Sequence, residues 1–202
     1  MGLTTCTCPV STTIASIVTS VNDCKVEFGQ IQKLIFWRHG QYMTAVASAI
    51  SATAWTARLS ATGDKKALVS PFVTLVIPPT EPREVGSGNE VRNGIPIQIG
   101  TLSIKAEGQI WQTDQATIKL LKDMACEDLD VMFVNEANQL GYDDKNARVN
   151  GFPVTSLFVS DLSTGSYSDG SKNKFSFFLA GGWSDYFTVT AATTFLLDSV
   201  NS

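Results

Sequence analysis

The one imidazole in the chain is His39, in Trp37-Arg38-His39-Gly40, and any histidine-based nucleophilic chemistry would have to run through it. A serine or cysteine nucleophile generally needs such a base, and no Gly-x-Ser-x-Gly turn accompanies this one. A lone histidine ahead of a glycine reads as a turn or surface residue at a strand end. Two carboxylate groups come next, Glu127-Asp128-Asp130 and Asp143-Asp144. Carboxylates buried together do acid–base work because their environments push their pKa values apart. Both sets flank expected turns, so a solvated face is the reading. The run Asp143-Asp144-Lys145-Asn146 lacks the alternating ligands and central glycine of a calcium loop. The thiols are Cys6, Cys8, Cys24 and Cys126, and Cys6-Thr7-Cys8 is tighter than the usual spacing of zinc ligands. They read as reduced cysteines, with Cys126 a small apolar residue at a helix end. Gly86-Ser87-Gly88 has no Gly-Lys-Ser/Thr signature and no helix after it, so it is no phosphate loop. No catalytic residue, metal or cofactor is expected, and the chain does not read as an enzyme.

The elements that would carry these groups are mostly strands. Lys25 to Arg38 is rich in aromatic and β-branched residues and reads as a strand. Phe36 and Trp37 are neighbours on it and must face opposite sides, one to the core and the other, Trp37, to a contact surface. Ala45 to Ala61 is alanine-rich, with Val46, Ile50 and Trp55 roughly on one stripe and Gly63 as a stop; a helix is expected from about Thr53. Ala67 to Ile77 reads as one strand with an edge position or bulge at Pro71. Ile95 to Ile110 alternates apolar and polar, and its phase shifts near Gly100, which fits a bend or bulge. A helix follows, capped at Thr113, with Ile118, Leu121 and Ala125 on its apolar stripe. Leu129 to Val134 and Phe152 to Val159 are strands, with a turn at Asn138 to Gly141 and a polar turn region at Ser163 to Asn173. Lys174 to Leu179 and Tyr186 to Thr190 read as a hairpin-like pair around Gly181 and Gly182. Trp111 and Trp183 sit beside turns as lids on the core. The expected class is mainly β (α+β), a β-sandwich or barrel with one or two flanking helices. Residues 1–24 read as an extended arm and 25–202 as a single β-rich domain.

Composition narrows the function. The 202 residues are 44% hydrophobic and 17% charged, a charge content below the roughly 25% of typical soluble domains, which suits burial against partners. A net charge of −4 with no basic stripe argues against binding nucleic acid through its phosphates. No apolar run approaches the roughly 20 residues of a membrane-spanning helix, and MGLTTCTCPV has neither the basic nor the apolar region of a signal peptide. Gly2 has Cys6 where a myristoylation motif wants Ser or Thr. A cytoplasmic origin is expected.

The most informative stretch is Pro78 to Gly94, PPTEPREVGSGNEVRNG, a polar loop between two strand-forming segments. Loops beyond about 12–15 residues are uncommon in compact domains and usually functional. Its prolines and glycines give it no fold of its own, so it reads as an arm that a neighbouring subunit holds. Arg83 and Arg92 are the charges most suited to reach that neighbour, since arginine favours interface ion pairs. The expected interface set is Arg83, Glu84, Asn89, Glu90 and Arg92 in the arm, with Trp37 from the strand. No channel-lining residue is assigned.

Taken in order, FGQIQKLIFWR from Phe28 to Arg38, ATAWTARLSATG, VSPFVTLVIPPTEPREVGSGNEVRNGIPIQIG, QATIKLLKDMACE and KFSFFLAGGWSDYFTV give a pattern covering most of the chain. It resembles the tail tube (major tail) proteins of tailed bacteriophages, especially those infecting Bacteroidetes. The resemblance implies a β-sandwich or barrel subunit that assembles into stacked hexameric rings around a channel for the genome. It also implies a long loop touching an adjacent subunit or ring. The implied partners are further copies of the chain, other tail and head–tail connector proteins, and viral DNA in passage without specific binding. The implied location is the virion tail, after assembly in the host cytoplasm. A weakly acidic subunit agrees, because a channel that repels phosphates lets the duplex slide. The Cys6-Thr7-Cys8 start and the Thr/Ser-rich N-terminal segment depart from the pattern. The alternatives are a capsid-decorating or tail-terminator protein, and a small ligand-binding domain or enzyme using the Asp143-Asp144 region.

Overall fold

Strand formation follows the β-branched and aromatic runs in this computed structural model, which describes residues 28–86, 97–111, 114–163 and 172–190. The strands are β1 (Ile31–Arg38), β2 (Tyr42–Met43), β3 (Leu68–Val69), β4 (Val73–Val76), β5 (Pro82–Val85), β6 (Ile97–Thr101) and β7 (Ile104–Trp111). They continue as β8 (Leu129–Asn135), β9 (Leu140–Asp143), β10 (Val149–Asn150), β11 (Phe152–Val159), β12 (Lys172–Leu179) and β13 (Phe187–Val189). Two helices, α1 (Ala52–Leu59) and α2 (Gln115–Asp123), complete a mainly β fold. The N-terminal arm expected over residues 1–24 lies outside the described residues.

All pairings are antiparallel, and their order closes on itself. β1 pairs with β8, β8 with β11, β11 with β12, β12 with β7, and β7 with β4. β3 and β4, expected as one strand, are two halves of a segment broken at Ser70-Pro71, and β3 returns to β1. The result is a barrel clasped at that break and without strand pairing between β1 and β4 among the described residues. Proline cannot donate to a ladder, and Ser70 bridges the gap. Its N–H donates to Leu34 O at 2.8 Å, its hydroxyl accepts from Leu34 N–H at 2.9 Å, and the hydroxyl donates to Pro71 O at 2.8 Å. Ser70→Ala leaves the buried Leu34 N–H unpaired, a loss of about 1–3 kcal/mol expected from the cost of an orphaned donor. Urea unfolding measures it, and a midpoint equal to the parent's would show that the hydroxyl does not close the barrel.

The β1–β8 pair carries apolar side chains on both faces because it divides two cores. A register shift between Ile31 and Lys33 puts Ile31, Leu34 and Phe36 inside the barrel, with Val131, Phe133, Phe152, Phe175 and Phe177. Ile35 and Trp37 point outward into a second layer with Met132, Val134, Leu140, Tyr142 and Val149, covered by Trp55 of α1. Phe36 and Trp37 do face opposite ways, but both sides are core.

Several expectations shift in detail. α1 is preceded by a 3-10 turn, Val46–Ile50, and the chain changes direction at Ser51, whose side chain caps α1. Val46 and Ile50 are therefore exposed, while Ala49 and Trp55 face the core. α1 ends at Ser60, and Gly63 opens the next turn at φ +66° rather than stopping the helix. Asp114 caps α2, accepting from Thr117 N–H at 2.9 Å; Thr113 lies outside the described residues. Leu121 of α2 enters the barrel core, with Ile118 and Ala125 packed against it. Cys126 ends the 3-10 turn after α2 and is exposed, not an apolar filler. β13 pairs with β9 and not β12, since β7 and β11 already occupy both edges of β12. The Gly181-Gly182 turn carries the chain across and sets Trp183 as a lid on Phe133, Phe152 and Phe187, at 5.2–5.9 Å between ring centroids.

Candidate assembly interface

The Pro78–Gly94 stretch is not a structureless arm in its described part. Among the described residues β5 pairs only with β6, as a two-stranded ribbon apart from the barrel sheet. Pro82 opens β5, where a missing donor costs no ladder bond, and Leu102 N–H donates to Glu81 O at 2.9 Å to extend the ribbon. Gly100, at φ +145°, sits opposite Arg83 where the register shifts, so the phase change at this glycine is a bulge. The single long strand expected over Ile95 to Ile110 is thereby divided, β6 in the ribbon and β7 in the barrel.

Among the described side chains, none of the ribbon belongs to either core. Val85 is 52% and Ile99 53% exposed, with Leu102 exposed beside them. Arg83 and Glu84 are exposed, and among the described residues neither forms an ion pair. Asn89, Glu90 and Arg92 lie outside the described residues. The ribbon is rooted where Thr101 crosses Gly181: a Cβ there would stand 2.3 Å from Thr101 O, so only glycine admits the contact. An isolated two-stranded ribbon is marginally stable in water, and its unpaired edges invite another chain. Trp37, the other expected interface residue, is 1% exposed and stacks on Trp55 at 6.4 Å, inside the second core layer. A neighbour cannot touch it without unpacking α1.

Of the acidic groups, Glu127 and Asp128 are exposed, as a solvated face requires, Asp143 and Asp144 are half-buried, and Asp130 departs from that expectation. Asp130 is buried, its side chain 5% exposed. Its Oδ1 lies 2.7 Å from His39 Nδ1 and its Oδ2 accepts from Gly40 N–H at 3.1 Å. The turn after β1 is thus pinned to β8 by a carboxylate with both oxygens acting as acceptors. His39 is largely exposed and fronts a cleft of about 480 Å³ lined also by Arg38, Gln41, Asp64, Cys126, Glu127 and Asp128. Arg38 bridges Asp64 at 2.9 Å and Glu127 at 3.3 Å. Among the described residues no three His, Cys, Asp or Glu side chains are arranged to hold a metal. Asp143 Oδ1 accepts from Lys145 N–H at 2.8 Å, a turn contact. Sequence reading missed the His39–Asp130 pair because 91 residues separate its members. The available signal was one carboxylate in the otherwise apolar LDVMFV run of β8.

The two groups of this pair shift for different reasons. The hydrogen bond to Asp130, then its charge, raises His39 above 6.5. Burial raises the Asp130 carboxyl, against the lowering effect of His39. The two directions disagree about how far the ion pair is favoured, and the donor geometry at both Asp130 oxygens decides for the carboxylate facing an imidazolium. A histidine with a raised folded pKa contributes stability that is complete below about 6.5 and is lost as pH rises through the folded value. Stability is therefore expected to fall with pH in the window just above 6.5. Thermal melts across that window check it: Asp130→Asn flattens the slope, and an equal slope in that variant would refute the assignment.

No protein-family model matches the chain, and no curated protein is similar to it. Solved structures with a loose likeness include the virion of a native gene transfer agent particle, at 14% identity over 59% of this chain and 82% of that one, TM-score 0.35. The tail of an empty gene transfer agent particle with C6 symmetry is similar at 15% identity over 59% of this chain and 80% of that one, TM-score 0.32. The tube-terminating cap of the anti-feeding prophage is similar at 10% identity over 89% of this chain and 99% of that one, TM-score 0.34.

Proposed function

We propose that this chain is a structural subunit of a phage-type tail, a tail-tube protein that joins copies of itself into stacked hexameric rings around a channel for the genome. The observation that carries the reading is the β5–β6 ribbon. Among the described residues its outer strand edges have no partner and none of its side chains joins either core, while Val85, Ile99, Leu102, Arg83 and Glu84 are exposed. Such an element is completed by another copy, which supplies backbone partners to its edges and apolar cover to its faces. The order of segments that resembles tail-tube proteins and the net charge of −4 support the same reading.

In this assembly Arg83 and Glu84, with Asn89, Glu90 and Arg92, meet the adjacent subunit. The subunit does no catalysis, and its partners are itself, other tail and connector proteins, and DNA that passes without being held. Negative-stain electron microscopy with size-exclusion mass measurement tests the reading. Rings or hollow tubes are expected, and a monomer that persists at high concentration would overturn it. Deleting Val85 to Val91 is expected to abolish polymerisation while leaving a monomer with the parent's melting profile. Normal-length tubes from that deletion would remove the ribbon from the interface.

A further inference from the structure

The barrel has an open seam. Beyond the Ser70 clasp, among the described residues no strand pairs with β1 at Ile31 or Gln32 on the β3 side, and none pairs with the second edge of β4. Between the two lies a groove of about 770 Å³. Phe28 to Ile31 form one wall and Leu75 to Thr80 the other, and Phe133, Trp183 and Phe187 are its aromatic floor. A groove with unpaired backbone at its rim and aromatic rings at its base suits an extended apolar segment.

We infer that the groove is the seat of the chain's own N-terminal segment, residues 12–21, laid in as an added strand. Three observations point to this occupant. The 27 residues that precede the described structure enter it at Phe28, in the groove wall itself. Residues 1–22 contain no Asp, Glu, Lys, Arg or His, so the segment can be buried without leaving a charge unpaired. Within it, TTIASIVTSV is dominated by β-branched residues, the types that pack on a pleated surface. All the charge of the N-terminal segment is confined to Asp23, Lys25 and Glu27, and Asn22-Asp23 is a turn-forming pair at which the chain can reverse. So short a connection keeps the segment at a high effective concentration beside the groove. The inference does not depend on ring assembly.

Hydrogen exchange on the full chain, and on a chain lacking residues 2–21, tests it. The amides of Ile31, Gln32 and Leu75 to Ile77 are expected to exchange at least about tenfold faster in the shortened chain, the signature of lost local protection. A synthetic peptide of residues 10–22 should restore the protection saturably. If the shortened chain does not fold, Ile17→Asp with Val18→Asp in the full chain should give the same local loss. Unchanged exchange at these amides in both variants would overturn the inference. Protection in the parent should also be independent of dilution over about a hundredfold, as for an intramolecular contact. Protection that falls on dilution would assign the groove to a second copy and overturn the intramolecular seat.

Discussion

Trp55→Ala is expected to lower the stability of the folded chain by about 3–5 kcal/mol, the usual cost of emptying a buried aromatic site. Trp55 is fully buried, stacks on Trp37 at 6.4 Å, and donates from Nε1 to Ala49 O at 3.0 Å. Its removal opens a cavity in the smaller core layer, frees the 3-10 turn that Ala49 belongs to, and uncovers Trp37. Arg58 magnifies the effect, because its guanidinium lies 5.5 Å from the Trp37 ring while it donates to Gln41 Oε1, Lys65 O and Tyr42 O. One tryptophan thus holds α1, the turn before it and the β1 surface together. Guanidinium unfolding should show a lowered midpoint; an unchanged midpoint would mean that α1 is not part of the cooperative core. The barrel interior lies on the other face of β1 and β8, so the variant should keep its barrel strands at low temperature.

The second large effect is expected at Phe152, on the barrel side. Phe152→Ala is expected to cost about 3–5 kcal/mol, again from lost burial plus an unfilled cavity. Its ring stacks with Phe133 at 5.4 Å and Phe187 at 5.7 Å, and meets Trp183 edge-on at 5.2 Å. Phe152, like Trp183, meets all three other rings, so its loss also removes edge-to-face and stacked pairs worth about 0.5–1.5 kcal/mol each beyond their burial. Because Trp183 and Phe187 sit on the segment after β12, the turn that carries β13 onto β9 should loosen. Calorimetry reads the stability loss, and a shift of the tryptophan emission toward the red reads the exposure of Trp183. A melting temperature within error of the parent's would show that the cluster repacks around the gap.

Much of the fold could be read along the chain wherever neighbours in sequence decide. β11 is legible at both ends, Phe152 to Val159, β8 and α2 within a few residues, and β1 at its end, Arg38, though it starts at Ile31 and not Lys25. Their signals are local: β-branched and aromatic runs, a helical apolar stripe, an acidic cap. The bulge at Gly100 was legible for the same reason, as a break in an alternating pattern.

Pairing partners are less legible. Lys174 to Leu179 and Tyr186 to Thr190 look like a hairpin because a glycine pair joins them, yet β12 has no edge left to offer. Ala67 to Ile77 looks like one strand because nothing local shows that its halves belong to different partners. Trp37 looks like contact surface because an aromatic pair on one strand must split, and only the docking of α1 decides that both sides are core.

What the sequence determined by itself is therefore the mainly β class, the two helices and the apolar alternation that fills a barrel. Propensity, periodicity and capping act over a few residues, so they survive being read in one dimension. Tertiary structure decided the closure of the barrel through Ser70, the pairing of His39 with Asp130, the two-sided burial of β1, and the separation of the β5–β6 ribbon from both cores. Each of these depends on which distant segments meet. That is set by competition for strand edges and buried area across the whole chain, a quantity no local window contains.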